Sequence, residues 1–134
     1  MSPNESTPAQ NPTGLPGQAT TPGMVFYRRQ IALLEARDIE GLMGQYHEDA
    51  CLVSFDAVVK GRAAIGAHLK RYLNHLGDLK LQSTDRFAEA SDAIIFESTL
   101  ATGLGEARVY DVFVLRNGQA THHFAGVLAG PRPG

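Results

Sequence analysis

The sequence predicts an α+β domain in which one mostly antiparallel sheet curls around three helices. Apolar residues recur at helical spacing in two blocks of the first half, whereas from Leu79 onward they alternate with polar ones. The run Gly105 to Gly130 reads as two long strands joined at Asn117-Gly118, a dipeptide that readily takes the positive φ angles of a tight hairpin turn. Three helices cannot cover both faces of a six-stranded sheet, so the sheet is expected to bend into a cone. Its inside would be a pocket, and its outside would be free to pair with a second copy.

The elements follow in order. Residues 1–21 carry Pro3, Pro8, Pro12 and Pro16 among Ser, Thr, Asn, Gln and Gly, and read as a disordered tail, with a proline-rich docking peptide as the alternative. The domain is expected over 22–130, and residues 131–134 form a second tail. Thr21-Pro22 suits the cap and first residue of a helix that buries Met24, Tyr27, Ile31 and Leu34, with Phe26, Gln30 and Leu33 on a neighbouring stripe. Asp38 caps a short helix expected to run from Ile39 to Tyr46 and to end at His47-Glu48-Asp49, where Asp49 would brace the turn. Ala50 to Phe55 reads as a strand with a short hairpin partner at Val58-Val59. A third helix, Arg62 to His75, shows Ile65, Leu69, Tyr72, Leu73 and Leu76 on one face with His68 beside it, and Gly77 stops it. Strands at 79–88 and 93–101 then lead to the hairpin.

Composition narrows the function classes. The 134 residues, 43% hydrophobic and 19% charged, suit one globular domain. A formal charge of −2 disfavours a nucleic-acid groove or an anionic membrane surface, which leaves a small, neutral, hydrophobic molecule or a second copy (a homodimer) as the expected partner. Cys51 is the single cysteine, so an internal disulfide is excluded and a reducing, cytoplasmic setting is expected. The first 23 residues hold no apolar run of signal-peptide type, and no stretch approaches the ~20 apolar residues of a membrane span. No metal is expected, because His122 and His123, adjacent on a strand, point to opposite faces.

Strand parity decides which polar residues meet. Val109, Asp111, Phe113 and Leu115 share one face, opposite Arg108, Tyr110, Val112, Val114 and Arg116. Asp38-Ile39-Glu40, Tyr46-His47-Glu48-Asp49-Ala50, Lys60-Gly61-Arg62-Ala63-Ala64-Ile65 and Phe113 to Gly118, in this order of elements, resemble the nuclear-transport-factor-2-like superfamily, over about residues 24–128. Within it the chain is most similar to the SnoaL-like and ketosteroid-isomerase-like branch. That resemblance implies a cone-shaped, cystatin-like α+β barrel and puts the Asp111 face inside it. Along the ketosteroid-isomerase pattern, Gln30 stands at the position of the oxyanion-stabilising tyrosine and Ser54 at that of the general base, while Asp111 retains the position of the protonated aspartate. The last strand, where polyketide cyclases of this branch carry an aspartate, reads Thr121-His122-His123-Phe124.

On the last strand the same reasoning turns His123, Ala125 and Val127 inward and His122 and Phe124 outward; Ile94, Phe96, Ser98 and Leu100 line the neighbouring strand, with Glu97 outside. The expected site pairs Asp111 with His123, the histidine moving a proton and the carboxylate orienting it, inside a cup lined by Phe26, Gln30, Ser54, His68, Tyr72, Phe96, Ser98 and Phe113. The expected function is a small enzyme that needs no cofactor and isomerises, cyclises or dehydrates a polyketide- or steroid-like molecule. The alternative is a non-catalytic ligand-binding or dimerisation module, with Asp111 and His123 merely satisfying each other.

Overall fold

A computed structural model describes residues 21–131; the expected tails lie outside them, apart from Thr21 and Pro131. Helix α1 (Pro22–Ala36) is followed by α2 (Ile39–Met43), β1 (Tyr46–Val53), β2 (Val58–Lys60), α3 (Arg62–Leu76), β3 (Leu79–Glu89), β4 (Ala93–Thr102), β5 (Gly105–Arg116) and β6 (Gln119–Ala129). The six strands form one curled, unclosed sheet in the order β2-β1-β6-β5-β4-β3, antiparallel throughout except where β1 runs parallel to β6.

Local chemistry fixes the helix ends. The Thr21 hydroxyl accepts from the Met24 amide and donates to Glu89, whose other oxygen accepts from the Gly23 amide, so the last residue of β3 holds the start of α1. Arg37, at φ 57°, ends α1, and its guanidinium donates to the carbonyls of Leu73 and Gly77, tying the ends of α1 and α3 together. Asp38 caps α2 through the Gly41 amide, as its side chain predicts. Asn117 and Gly118 take φ of 54° and 79° in the β5–β6 hairpin, as the dipeptide predicts.

One boundary is corrected. The short helix stops at Met43 rather than Tyr46, and β1 begins at Tyr46 rather than Ala50 and ends before Ser54 and Phe55. His47, Glu48 and Asp49 are strand residues, and Asp49 is exposed on β1 rather than bracing a turn. The cause is a parallel partner that local sequence does not show: Ala120 of β6 donates its amide to the Gln45 carbonyl, and Tyr46, Ala50 and Leu52 then alternate into the core.

The inner face of the sheet and the three helices enclose the core. Ile94, Phe96, Ser98 and Leu100 point inward from β4, as alternation requires. On β3 the simple alternation fails, because the register slips at Gln82 and again at Asp85, which turns Leu81, Thr84 and Phe87 all toward the core at intervals of three. The Tyr27 hydroxyl meets Thr84 there. A further bulge at Thr121 in β6 places both Ala120 and His123 inward.

The convex face divides in two. Glu97 accepts from Arg86 and Arg108, and Asp85, held below the usual carboxylate range chiefly by the Thr99 hydroxyl, completes a polar patch. Beside it a row of cross-strand neighbours is apolar: Val53, Phe124, Val112, Ile95 and Ala88. Among these Phe124 and Ile95 are exposed.

Candidate functional site

The cone encloses a cavity of about 690 Å³. Its walls come from α1 (Gln30, Ile31, Leu34), from the inner faces of β4, β5 and β6, and from one stripe of α3. The turn Ser54 to Ala57 closes over one side, with Phe55 almost fully in solvent.

Asp111 and His123 meet as expected, on one face because the bulge at Thr121 shifts the register by one residue: His123 Nε2 lies 2.7 Å from Asp111 Oδ1. His123 is 5% exposed, whereas the Asp111 side chain is 19% exposed and reaches the cavity. The other imidazole nitrogen, Nδ1, is 2.9 Å from the Tyr46 hydroxyl, and the ring stacks on Phe113 with centroids 3.9 Å apart.

This pair ends a longer chain of hydrogen bonds. Gln45 Nε2 donates to the Phe26 carbonyl at 3.1 Å and to Gln30 Oε1 at 3.3 Å; Gln30 Nε2 faces the Tyr46 hydroxyl at 3.5 Å. A backbone carbonyl can only accept, so Phe26 fixes the Gln45 amide, which fixes that of Gln30. Tyr46 then accepts a hydrogen bond from Gln30, which leaves its own O–H to donate to His123 Nδ1. The imidazole carries its hydrogen on Nε2 and donates it to Asp111. From Gln45 through Gln30, Tyr46 and His123, each side chain donates to the next toward the carboxylate, an arrangement in which each bond polarises the next. Gln30, Gln45, Tyr46 and His123 are all at least 95% buried, so the series substitutes for solvent. Burial raises the Tyr46 phenol above its ordinary range and keeps it a donor.

Asp111 Oδ2 has no hydrogen-bonding partner among the described residues, and neither do the hydroxyls of Ser98 and Tyr72, both of which line the cavity. Ser98 is 1% exposed. Burial, assisted by the Asp111 charge, raises the Tyr72 phenol and keeps it protonated. His68 also lines the cavity, and burial first, then Arg71 and His123, lower its pKa.

The remaining expected residues divide. Gln30, Ser54, Phe96 and Phe113 line the cavity. Ser54 does so with its hydroxyl occupied, since it accepts from the Asp56 and Ala57 amides and donates to the Ala57 carbonyl. Phe26 is not on the cavity wall; it packs behind Phe113 with centroids 4.8 Å apart, because Phe113 stands between it and the open space. His122 turns outward and stacks on Phe124, as parity predicts. Sequence reasoning missed Gln45 and Arg71. Gln45 carries no pattern signal beside a glycine, whereas Arg71 lies three residues from His68 and four from His75, a helical spacing that marks it.

The model of the SnoaL-like domain family matches residues 27–123. No curated protein matches the chain in sequence. Solved structures are similar in fold. The crystal structure of TerC co-crystallised with polyporic acid is 22% identical, with a TM-score of 0.68 over 80% of this chain and 92% of that one. A SnoaL-like protein of unknown function from Burkholderia thailandensis is 15% identical, with a TM-score of 0.69 over 81% and 96%. A candidate polyketide cyclase from Sinorhizobium meliloti is 10% identical, with a TM-score of 0.68 over 76% and 94%.

Two measurements probe this network. Tyr46→Phe strands the Gln30 amide and removes the donor to His123 Nδ1, and should cost about 1–3 kcal/mol in denaturant unfolding while moving the ring-nitrogen NMR signals of His123. Because the folded-state pKa of His68 lies below its ordinary 6.5, the unfolded chain takes up the proton first as pH falls. Stability present at pH 7 is therefore lost toward pH 5, and His68→Gln should lose less than the wild type when urea midpoints at the two pH values are compared.

Proposed function

The chain belongs to the SnoaL-like domain family, and from that premise we propose that it is a small enzyme using Asp111 as a proton acceptor on a hydrophobic carbonyl compound. The observation that carries this reading is the division of labour within one carboxylate. Oδ1 is held by a buried series of donors while Oδ2, in a side chain that lines the cavity, has no partner among the described residues. The roles expected from sequence are thereby exchanged: His123, with both ring nitrogens engaged and almost no exposure, orients, and Asp111 touches the substrate.

The chemistry follows from position. A carbon-bound proton beside a carbonyl is removed by Oδ2, and the developing enolate oxygen accepts hydrogen bonds from the Tyr72 or Ser98 hydroxyl. Isomerisation, cyclisation and dehydration of a polyketide- or steroid-like molecule all start from such a proton removal, and the chain's own side chains supply it. The TerC and polyketide-cyclase likenesses support a small hydrophobic substrate of this class. The fully satisfied His123 favours a second reading, a pocket that binds without turnover.

Proton exchange separates the two without knowledge of the product. In deuterated water, the wild type should accelerate exchange beside the carbonyl of apolar cyclic ketones, followed by proton NMR, and Asp111→Asn should slow it by about 10²–10⁴-fold. Equal rates for the two proteins would leave only the binding reading.

The same proposal includes a homodimer through the convex apolar row and, on the free thiol of Cys51, a cytoplasmic setting. Light scattering should give a mass near twice the 14.4 kDa of the chain, reduced to that of one chain by Ile95→Glu with Phe124→Glu. A wild-type mass of one chain would refute the dimer.

A further inference from the structure

The cavity wall carries a fixed cation that the proton-transfer chemistry does not use. On α3, His68, Arg71, Tyr72 and His75 all line the cavity, His68 standing three and four residues before Arg71 and Tyr72, and His75 three and four residues after Tyr72 and Arg71. Arg71 is the fixed positive charge of the stripe. It makes no hydrogen bond or ion pair among the described residues, although a guanidinium offers five donors. The carboxylates on the cavity wall do not pair with it: Asp111 gives one oxygen to His123, and neither Asp111 nor the exposed Asp56 forms an ion pair with Arg71.

The rest of the wall is apolar or aromatic, with Leu34, Leu52, Phe96, Leu100, Phe113 and Val127 prominent. A neutral hydrophobic occupant would fill this space and leave the exposed Arg71 to solvent, gaining nothing from its charge. An occupant with an anionic group would pair the guanidinium by charge-assisted hydrogen bonds while its apolar body displaced water from the wall. The ligand's two ends are then told apart by charge, because Arg71 repels cations as Asp111 repels anions.

We propose that the cavity selects an amphipathic acid: a hydrophobic ring system carrying one carboxylate or comparably acidic group, seated with that group on Arg71 and its reacting carbon toward Asp111. This rests on the reading of the cavity as a substrate site and adds the substrate's charge and its direction of entry. The neutral form of His68 favoured by burial leaves room for the acid without a second fixed charge, and Tyr72, adjacent in sequence, offers its hydroxyl to a neighbouring oxygen of the same ligand.

Two fluorescent probes with a shared skeleton test this: 8-anilinonaphthalene-1-sulfonate, and N-phenyl-1-naphthylamine, which lacks the sulfonate. At physiological salt the wild type should bind the anionic probe about ten-fold more tightly than the neutral one. Arg71→Gln, a change at an exposed position, should erase that preference while leaving the neutral probe's affinity unaltered, and Arg71→Lys should restore part of it. Probe bound on the convex sheet face would not respond to Arg71, so a preference that survives Arg71→Gln overturns the proposal, as does equal binding of both probes by the wild type. These results leave the proton-exchange outcome for Asp111→Asn untouched. Failure of both probes to bind the wild type would sink the substrate cavity together with its charge selectivity.

Discussion

A backbone carbonyl cannot donate a hydrogen bond, and in this protein that restriction at Phe26 sets the sense of a buried series five side chains long. Gln45, Gln30, Tyr46 and His123 each have one arrangement that leaves no polar atom stranded, and in that arrangement all of them donate toward Asp111. Reversing one member would strand a buried donor or acceptor, at a cost of about 1–3 kcal/mol each. The apolar cone around the series makes the restriction effective, because no solvent can repair a wrong choice. A carboxylate at the cavity wall is thereby held by one oxygen and free at the other.

The series exists because three elements far apart in sequence converge. Gln30 comes from α1, Gln45 and Tyr46 from the approach to β1, and His123 and Asp111 from the last hairpin. The parallel pairing of β1 with β6 brings Tyr46 under His123, and the bulge at Thr121 sets the phase in which His123 points inward while Ala120 does as well. Without that extra residue the two would lie on opposite faces, since their spacing is odd.

The aromatic packing has the same dependence. Phe26 packs at a tilt of 59° behind Phe113, with centroids 4.8 Å apart, and Phe113 stacks on the His123 ring at 3.9 Å, so the imidazole is packed against an aromatic face as well as bonded at both nitrogens. Phe26 acts from behind the wall rather than on it. The cavity surface proper is left to Phe96, Phe113 and the α3 stripe, which gives the space an apolar body with a carboxylate at one side and a guanidinium at another.

The sequence by itself determined the order of elements, the hairpin turn and the caps at Thr21 and Asp38. Each of these is a local rule: a periodicity, a dipeptide with positive φ, or a short polar side chain before a helix. The meeting of Asp111 with His123, though expected, depends on the bulge at Thr121, because a regular two-residue hairpin would set His123 opposite Val112. Gly44 and Gln45, where α2 gives way to β1, obey no such rule, and the boundary there was legible only once β6 supplied a parallel partner. The same is true of the β3 register, where slips at Gln82 and Asp85 override alternation because the curl of the sheet, not the pattern, decides which residues face the helices. Tertiary structure alone decided the direction of the hydrogen bonds, the occupied hydroxyl of Ser54 and the hydroxyl of Ser98 left without a partner among the described residues. Residue type says what a side chain can donate or accept, and only its neighbours in space say what remains to be satisfied.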